Sequence, residues 1–276
     1  MKHTPAATGE RVIATDIESR DAYLMYLRHL VAYTFAHRQI GLQSNVLDLG
    51  CGAGYGTSML SFRARSIIGL DVNRESIRHA TQTYQLAHGC FSLYDGCELP
   101  LASASLDVVV SFQVIEHVLD DRLFVAEAYR VLRPGGLLLV STPDRTHRLK
   151  PGQRPWNRFH IREYHSNGLK HVLHQSFAHV QIASICANDA VYAYELERVR
   201  WAQRVAMLDV LRLREAVPEG LLPLIGGWVK RLSGRAAQQQ RTADLEQDDD
   251  ATSYRVVMSD AANRLDLLAL CRKAAT

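Results

Sequence analysis

The sequence predicts an α/β fold: a doubly wound, mostly parallel seven-stranded sheet with an N-terminal helix and a helical insertion before the last strand. Three observations carry this. Strand-like and helix-like segments alternate from about residue 45 to about residue 190. The strands are short, continuous apolar runs, as expected of a parallel sheet covered on both faces. The first strand ends in a glycine-rich turn, Asp48-Leu49-Gly50-Cys51-Gly52-Ala53-Gly54-Tyr55-Gly56, that opens a helix.

The elements follow in order. Residues 17–38 have a helical pattern whose Leu24, Tyr26, Leu27, Leu30, Val31 and Tyr33 are read either as a lid over the sheet end or as a face packed on the sheet. Strands are expected at 45–49, 66–70, 90–94, 106–112, 137–141, 179–185 and 265–271. Helices are expected at 55–65, 74–86 (with Asn73 as cap), 121–131, 167–177 and 192–214. Arg133-Pro134-Gly135-Gly136 reads as a turn and Pro143 as the stop of the fifth strand. The organisation is therefore 1–39 as an N-terminal helical segment, 40–187 as the core, 188–260 as a mainly helical insertion and 261–276 as the final core strand. Within the insertion, 217–232 is apolar with basic residues at its end, 233–253 is polar and linker-like, and 254–258 is extended.

Composition narrows the function. At 276 residues, with 47% hydrophobic and 22% charged residues, the chain can bury a sizeable core. A formal net charge of only +3 weighs against a dedicated nucleic-acid binder and leaves room for a small anionic substrate. The five cysteines, Cys51, Cys90, Cys97, Cys186 and Cys271, are scattered without a CxxC pair, so neither a disulfide framework nor a structural zinc site is expected. Cys51 reads as a packing residue. The N-terminus lacks the apolar centre of a signal peptide, and no run is long enough to span a bilayer. A cytoplasmic protein is expected, with weak peripheral membrane contact through 217–232 as the sharper alternative to a packed apolar cap.

The glycine turn carries the first chemistry. Glycines at 50, 52 and 54 permit positive φ and close approach of a ligand to the backbone at a helix start. The spacing departs from G-x-G-x-x-G, because Tyr55 or Thr57 falls on the final position, and it lacks the Gly-Lys-Ser/Thr of a P-loop. Asp71 ends the second strand, where a carboxylate can accept hydrogen bonds from ribose hydroxyls. Capping of the following helix is its competing role, and Asn73 as cap releases it.

The runs VLDLGCGAGYG, GLDV, LDVVVSFQVIEHVLD and RVLRPGGLLLVSTPDR together resemble the class I S-adenosylmethionine (SAM)-dependent methyltransferases, nearest the methyltransferase type 11 group, over about residues 40–145. The resemblance implies a Rossmann-like sheet and SAM as cofactor. It implies that Asp48, Gly50, Gly52 and Gly54 line the methionine end, that Asp71 holds the ribose with Val72 against the adenine, that Asp95 and Gly96 meet the adenine amino group, and that Gln113 lies near the methionine moiety. Gln113 stands where the family often has an acidic residue. His117 either faces the acceptor or orients its loop.

A later segment, Trp156-Asn157-Arg158-Phe159-His160-Ile161-Arg162-Glu163-Tyr164, resembles the N-P-F-H-x-x-E-[YF] run of methyltransferases associated with glycan and polysaccharide biosynthesis, with Arg158 in place of proline. Gly9-Glu10-Arg11 and the stretch from Arg28 and His29 to Ala36 resemble that subgroup more loosely. His160 has the pKa range to take a proton from an acceptor hydroxyl, and Glu163, three residues on, can orient it. The competing role is a structural pair closing the pocket. His165, His171, His174 and His179 lack matching carboxylates or cysteines, and no metal site is expected.

The resulting expectation is methyl transfer from SAM to a small-molecule or saccharide acceptor, at oxygen. The alternatives are N- or C-methylation of a metabolite or quinone-like acceptor, and a SAM-binding accessory protein without turnover. The insertion is expected to shape the acceptor pocket or a dimer contact, so a homodimer is among the expected assemblies.

Overall fold

The computed structural model describes residues 19–157, 159–208 and 252–275. Eight strands form one sheet in the order β3-β2-β1-β4-β5-β8-β6-β7. They are β1 Asn45–Leu49, β2 Ser66–Asp71, β3 Gly89–Leu93, β4 Leu106–Phe112, β5 Leu132–Pro143, β6 His179–Ala187, β7 Tyr254–Val257 and β8 Arg264–Arg272. The helices are α1 Arg20–Gln39, α2 Tyr55–Ser61, α3 Arg74–Thr83, α4 Asp121–Val131, α5 Arg145–Arg148, α6 Ser166–Leu173 and α7 Asp189–Leu208. A 3-10 turn spans Ile115–His117.

Strands β1 to β5 pair in parallel. Strand β8 runs antiparallel between β5 and β6, and β7 adds an antiparallel edge to β6. The sheet thus has one strand more than expected. Its extra member comes from the predicted insertion, where four residues pair with the otherwise open edge of β6.

Successive strand residues point to opposite faces. Val46, Val108, Val110 and Leu139 join Leu24, Leu27, Ala32 and Tyr33 of α1 in one buried cluster. Leu47, Val109, Leu138 and Val140 join Phe124, Val125 and Ala128 of α4 and Leu169 and Leu173 of α6 in the other. Both faces are covered, which is why β1 and β4 are mainly apolar along their length, with Asp48, Asp107 and Ser111 among the exceptions.

Several boundaries shift for local reasons. Helix α3 ends at Thr83, and α2 ends at Ser61, short of the predicted 65. The predicted turn at Arg133 to Gly136 is a bulge within β5: pairing with β4 jumps from Leu106↔Leu132 to Val108↔Leu137, and Gly135 has φ 78°. Pro143 still pairs with Asp266, because an antiparallel neighbour asks nothing of its missing N–H at that point. Asn73 caps α3, its side chain accepting from the Ser76 N–H at 2.9 Å, as predicted. The runs at 217–232 and 233–251, the stretch at 9–11 and residue 158 lie outside the described residues.

Candidate functional site

The chain leaves β1, builds outward to β3, then returns to place β4 beside β1. That reversal is a topological switch point, where ligands bind at the carboxyl ends of the strands. A cleft of about 710 Å³ lies there. It is lined by the ends of β1 to β5 and by α1 and α7, the latter reaching it through Arg198.

The glycine turn forms its floor. Gly50, Gly52 and Gly54 all have positive φ, at 83°, 52° and 89°, but their surroundings differ. A Cβ on Gly52 meets nothing within 4 Å, so this glycine borders open space. A Cβ on Gly50 would lie 2.3 Å from Val114, and one on Gly54 2.6 Å from Ala80. Gly50 and Gly52 line the cleft; Gly54 serves the packing of α2 beneath it.

Asp48 lies below the floor, fully buried, and is not among the lining residues. It accepts from the Thr57 hydroxyl at 2.6 Å and from the Tyr33 hydroxyl at 3.2 Å. Burial pushes its carboxyl up to about 7, against the lowering effect of those two hydrogen bonds. It thus ties the start of α2 to α1. Cys51 lines the cleft floor yet is buried, and burial pushes its thiol far up, in keeping with a packing role.

Asp71 lines the wall. Its carboxylate accepts from the Gly52 N–H at 2.9 Å and the Asn73 N–H at 2.8 Å, which fixes it against the glycine turn. Val72, Tyr94, Asp95 and Gly96 continue that wall. Gly96 has φ 81°, and Asp95 accepts from the Cys97 N–H at 2.9 Å. Gln113 closes the turn after β4 at φ 56°, a strained conformation for a residue with a side chain, held by its N–H on Ser141 O at 2.9 Å.

The opposite wall carries the histidines. His117 lines the cleft, and its Nδ1 lies 3.0 Å from the Phe159 carbonyl. His160 stands behind it, with the two rings edge to face at 4.8 Å between centroids. The His160 side chain is buried and does not line the cleft. Its Nδ1 is 2.9 Å from Glu163, whose other oxygen accepts from Arg148 Nε at 3.0 Å. Burial alone pushes the Glu163 carboxyl up, but the His160 hydrogen bond and the Arg148 charge outweigh it and hold it below the usual range. Sequence reasoning gave no role to Glu116, Thr142, Arg28, Arg148, Arg198 or Trp156, although Glu116, Thr142, Arg28 and Trp156 lie in runs that it quoted. Arg28, Arg148 and Arg198 line the cleft and are ion-paired with buried Asp266, Glu163 and Glu195. The Arg148 guanidinium lies 4.7 Å over the Trp156 ring. Arg28–Asp266 and Arg148–Glu163 join separate segments, which no local motif announces, whereas Arg198–Glu195 is a pair three residues apart within α7.

Leu24 and Leu27 of α1 pack in the core while Met25, Arg28 and His29 line the cleft. Packed helix and cleft wall are therefore two faces of one element. Among the described residues the metal-capable group is Glu116, His117 and His160, which the sequence did not single out as a set; His165, His171, His174 and His179 are not part of one.

The sheet order and the helices on both faces define a Rossmann-like α/β fold of the kind seen in class I methyltransferases. Residues 47–140 match the family model described as a methyltransferase domain. The chain is 44% identical over 171 residues to a protein of Mycolicibacterium smegmatis named a probable S-adenosylmethionine-dependent methyltransferase, covering 60% of this chain and 62% of that one. A protein of the same designation from Mycobacterium tuberculosis is 40% identical over 168 residues, covering 60% and 58%. A ubiquinone biosynthesis O-methyltransferase of Rhizobium etli is 36% identical over 104 residues, covering 37% and 42%. The chain thus spans about three-fifths of the length of the first two relatives. Among solved structures, the YcgJ protein of Bacillus subtilis superposes with a TM-score of 0.56 at 17% identity, covering 88% of this chain and 98% of that one. The [4+2]-cyclase SpnF superposes equally well, TM-score 0.56 at 18% identity, covering 99% and 90%. Both show the fold alone, and the cyclase is a reminder that this fold does not fix the reaction.

Proposed function

We propose that the protein transfers a methyl group from SAM to an oxygen of a small hydroxylated acceptor, with saccharides as the favoured class. The observation that carries this is the cleft's two-sided build: the Gly52 backbone and Asp71 on one wall, the His117 wall facing them. The residues fit the cofactor. Gly52 leaves backbone open to a ligand, and Asp71 is oriented by two backbone N–H groups for ribose hydroxyls. Val72, Asp95 and Gly96 continue the Asp71 wall, which supports an adenine contact there, and Gln113 lines the cleft after β4, which supports a contact to the methionine part. In this reading Asp48 and Gly54 support the turn from beneath.

Bound SAM supplies a methyl carbon on a positively charged sulfur, a leaving group that is already activated. The chain's own task is to align the acceptor, exclude water and take charge of the acceptor proton. His117 borders the acceptor side. His160 packs against it, and Glu163 with Arg148 positions His160. Trp156 offers a ring face at the cleft, and its Nε1 has no hydrogen-bond partner among the described residues. Arg198 supports a role for the 188–260 insertion in shaping the acceptor side.

An apolar rim, Leu119, Leu123 and Ile161, favours a second acceptor class, a quinone-like or lipid-tailed molecule. The Rhizobium relative's name is consistent with it.

The test is incubation of the purified chain with methyl-labelled SAM and either saccharides, quinols or a cell extract, with products read by mass spectrometry. Label on an acceptor oxygen supports the proposal. Label on nitrogen or carbon overturns the oxygen assignment, and SAM binding without any labelled product supports an accessory role instead. His117→Ala should keep SAM affinity and lose turnover at least a hundredfold.

A further inference from the structure

We propose that Glu116, His117 and His160 hold a divalent cation on the acceptor side of the cleft. Their candidate donor atoms all lie within 4.8 Å of one another. Ion-to-donor bonds of about 2.1 Å need neighbouring donors about 3 Å apart, which side-chain rotations of the order of an ångström supply.

The tautomers are set by neighbours. The Phe159 carbonyl can only accept, so His117 Nδ1 carries the hydrogen in that 3.0 Å contact. Glu163 is ion-paired to Arg148 and likewise accepts, so His160 Nδ1 carries the hydrogen at 2.9 Å. In its neutral form each ring then has Nε2 as its lone-pair nitrogen. A histidine that donates its other N–H to a carboxylate or carbonyl is the usual way a metal-binding ring is oriented and made more basic. Glu116 supplies the charge. It is fully buried, and its carboxylate accepts from the Thr142 hydroxyl at 3.0 Å, which steadies it as well.

Two imidazoles and one carboxylate suit Mn²⁺, Fe²⁺, Co²⁺ or Zn²⁺ better than Ca²⁺, and three protein donors leave positions for acceptor oxygens. His117 lines the cleft, so those positions adjoin the acceptor space. The use of such a cation rests on the oxygen-methylation reading: it would hold the acceptor hydroxyl and lower its pKa. The hydroxyl proton then leaves to water at the cleft mouth, and the oxygen forms its bond to the methyl carbon. The carbon–sulfur bond breaks with its electron pair passing to sulfur. The existence of the site does not depend on that reading.

The experiment is Mn²⁺ titration of the EDTA-treated full chain, followed by electron paramagnetic resonance, with SAM affinity measured separately without metal. One equivalent should bind, and pulsed spectra should show nitrogen coupling from imidazole. Glu116→Gln and His160→Ala should weaken binding at least tenfold, and Glu163→Gln about 10–100-fold, with SAM affinity within twofold of the parent chain. Absence of stoichiometric binding, absence of nitrogen coupling, or equal binding in all three variants overturns the site. The nitrogen coupling needs no variant, so a misfolded variant leaves the proposal testable. Loss of SAM binding would overturn the proposed function and leave the cation site standing.

Discussion

Asp48 looks like a ligand residue in the sequence because it opens the glycine motif, yet its carboxylate is buried among Tyr33 and Thr57. The partner that explains it, Tyr33, comes from a helix before the sheet, which no local pattern could reveal. Its carboxyl, raised by burial to about 7, gives a pH signature. The folded state holds this proton more tightly than the unfolded chain does. Stability is therefore favoured at low pH and falls as pH rises from about 4 through about 7, by a few kcal/mol. Asp48→Asn should remove that decline, so its melting temperature relative to the parent should rise with pH across this window. Parallel melting curves would contradict the assignment. Gly52 and Gly56 give a second contrast. An Ala at 56 would place its Cβ 2.0 Å from the Tyr33 ring, and should destabilise by about 1–3 kcal/mol. An Ala at 52 has room but the wrong φ, costing about 1–2 kcal/mol, and its methyl would intrude on the cleft. Denaturant melts and SAM titration of both variants separate packing from ligand approach. Only Gly52→Ala should lose affinity beyond its stability cost.

At the scale of elements, what was local was legible. The cores of β1, β2, β4 and α4, the Asn73 cap and Asp71 at the end of β2 follow from runs of a few residues. Asp71 is freed from capping because Asn73 does that work. Less local features were hidden. The β5 bulge read as a turn because glycine and proline announce both. Strand β7 depends on the free edge of β6, which exists only in the assembled sheet. The His117–His160 pair joins the turn after β4 to the loop after α5, so the two motifs were seen but their meeting was not. Helix α1 was ambiguous because it has both roles. Its core face can be tested alone: Leu24→Ala, at a fully buried position, should cost about 2–5 kcal/mol in denaturant unfolding. A cost below about 1 kcal/mol would show that the helix is not integral to the domain.

The whole molecule is organised around one switch point. Five parallel strands bring their carboxyl ends to a common cleft, while antiparallel β8 and β7 complete the sheet on the side away from β1. The donor side is built from short loops that follow strands, and the sequence motifs lie there. The acceptor side is built from α1, α7 and the segment around His160, gathered from distant parts of the chain. In the proposed reading, this is the physical reason that the sequence motifs point to a methyl source and leave the methyl acceptor unnamed. A ligand that binds only the folded cleft must also stabilise it. SAM at 100 times its dissociation constant should add about 2.7 kcal/mol, seen as a raised melting temperature. The most direct test of the central assignment is calorimetric titration of the full chain with SAM and with its demethylated product, alongside Asp71→Ala. One site per chain, with affinity reduced at least tenfold in the variant, is the predicted result. Unchanged affinity in Asp71→Ala, or no binding to the parent chain, would contradict it.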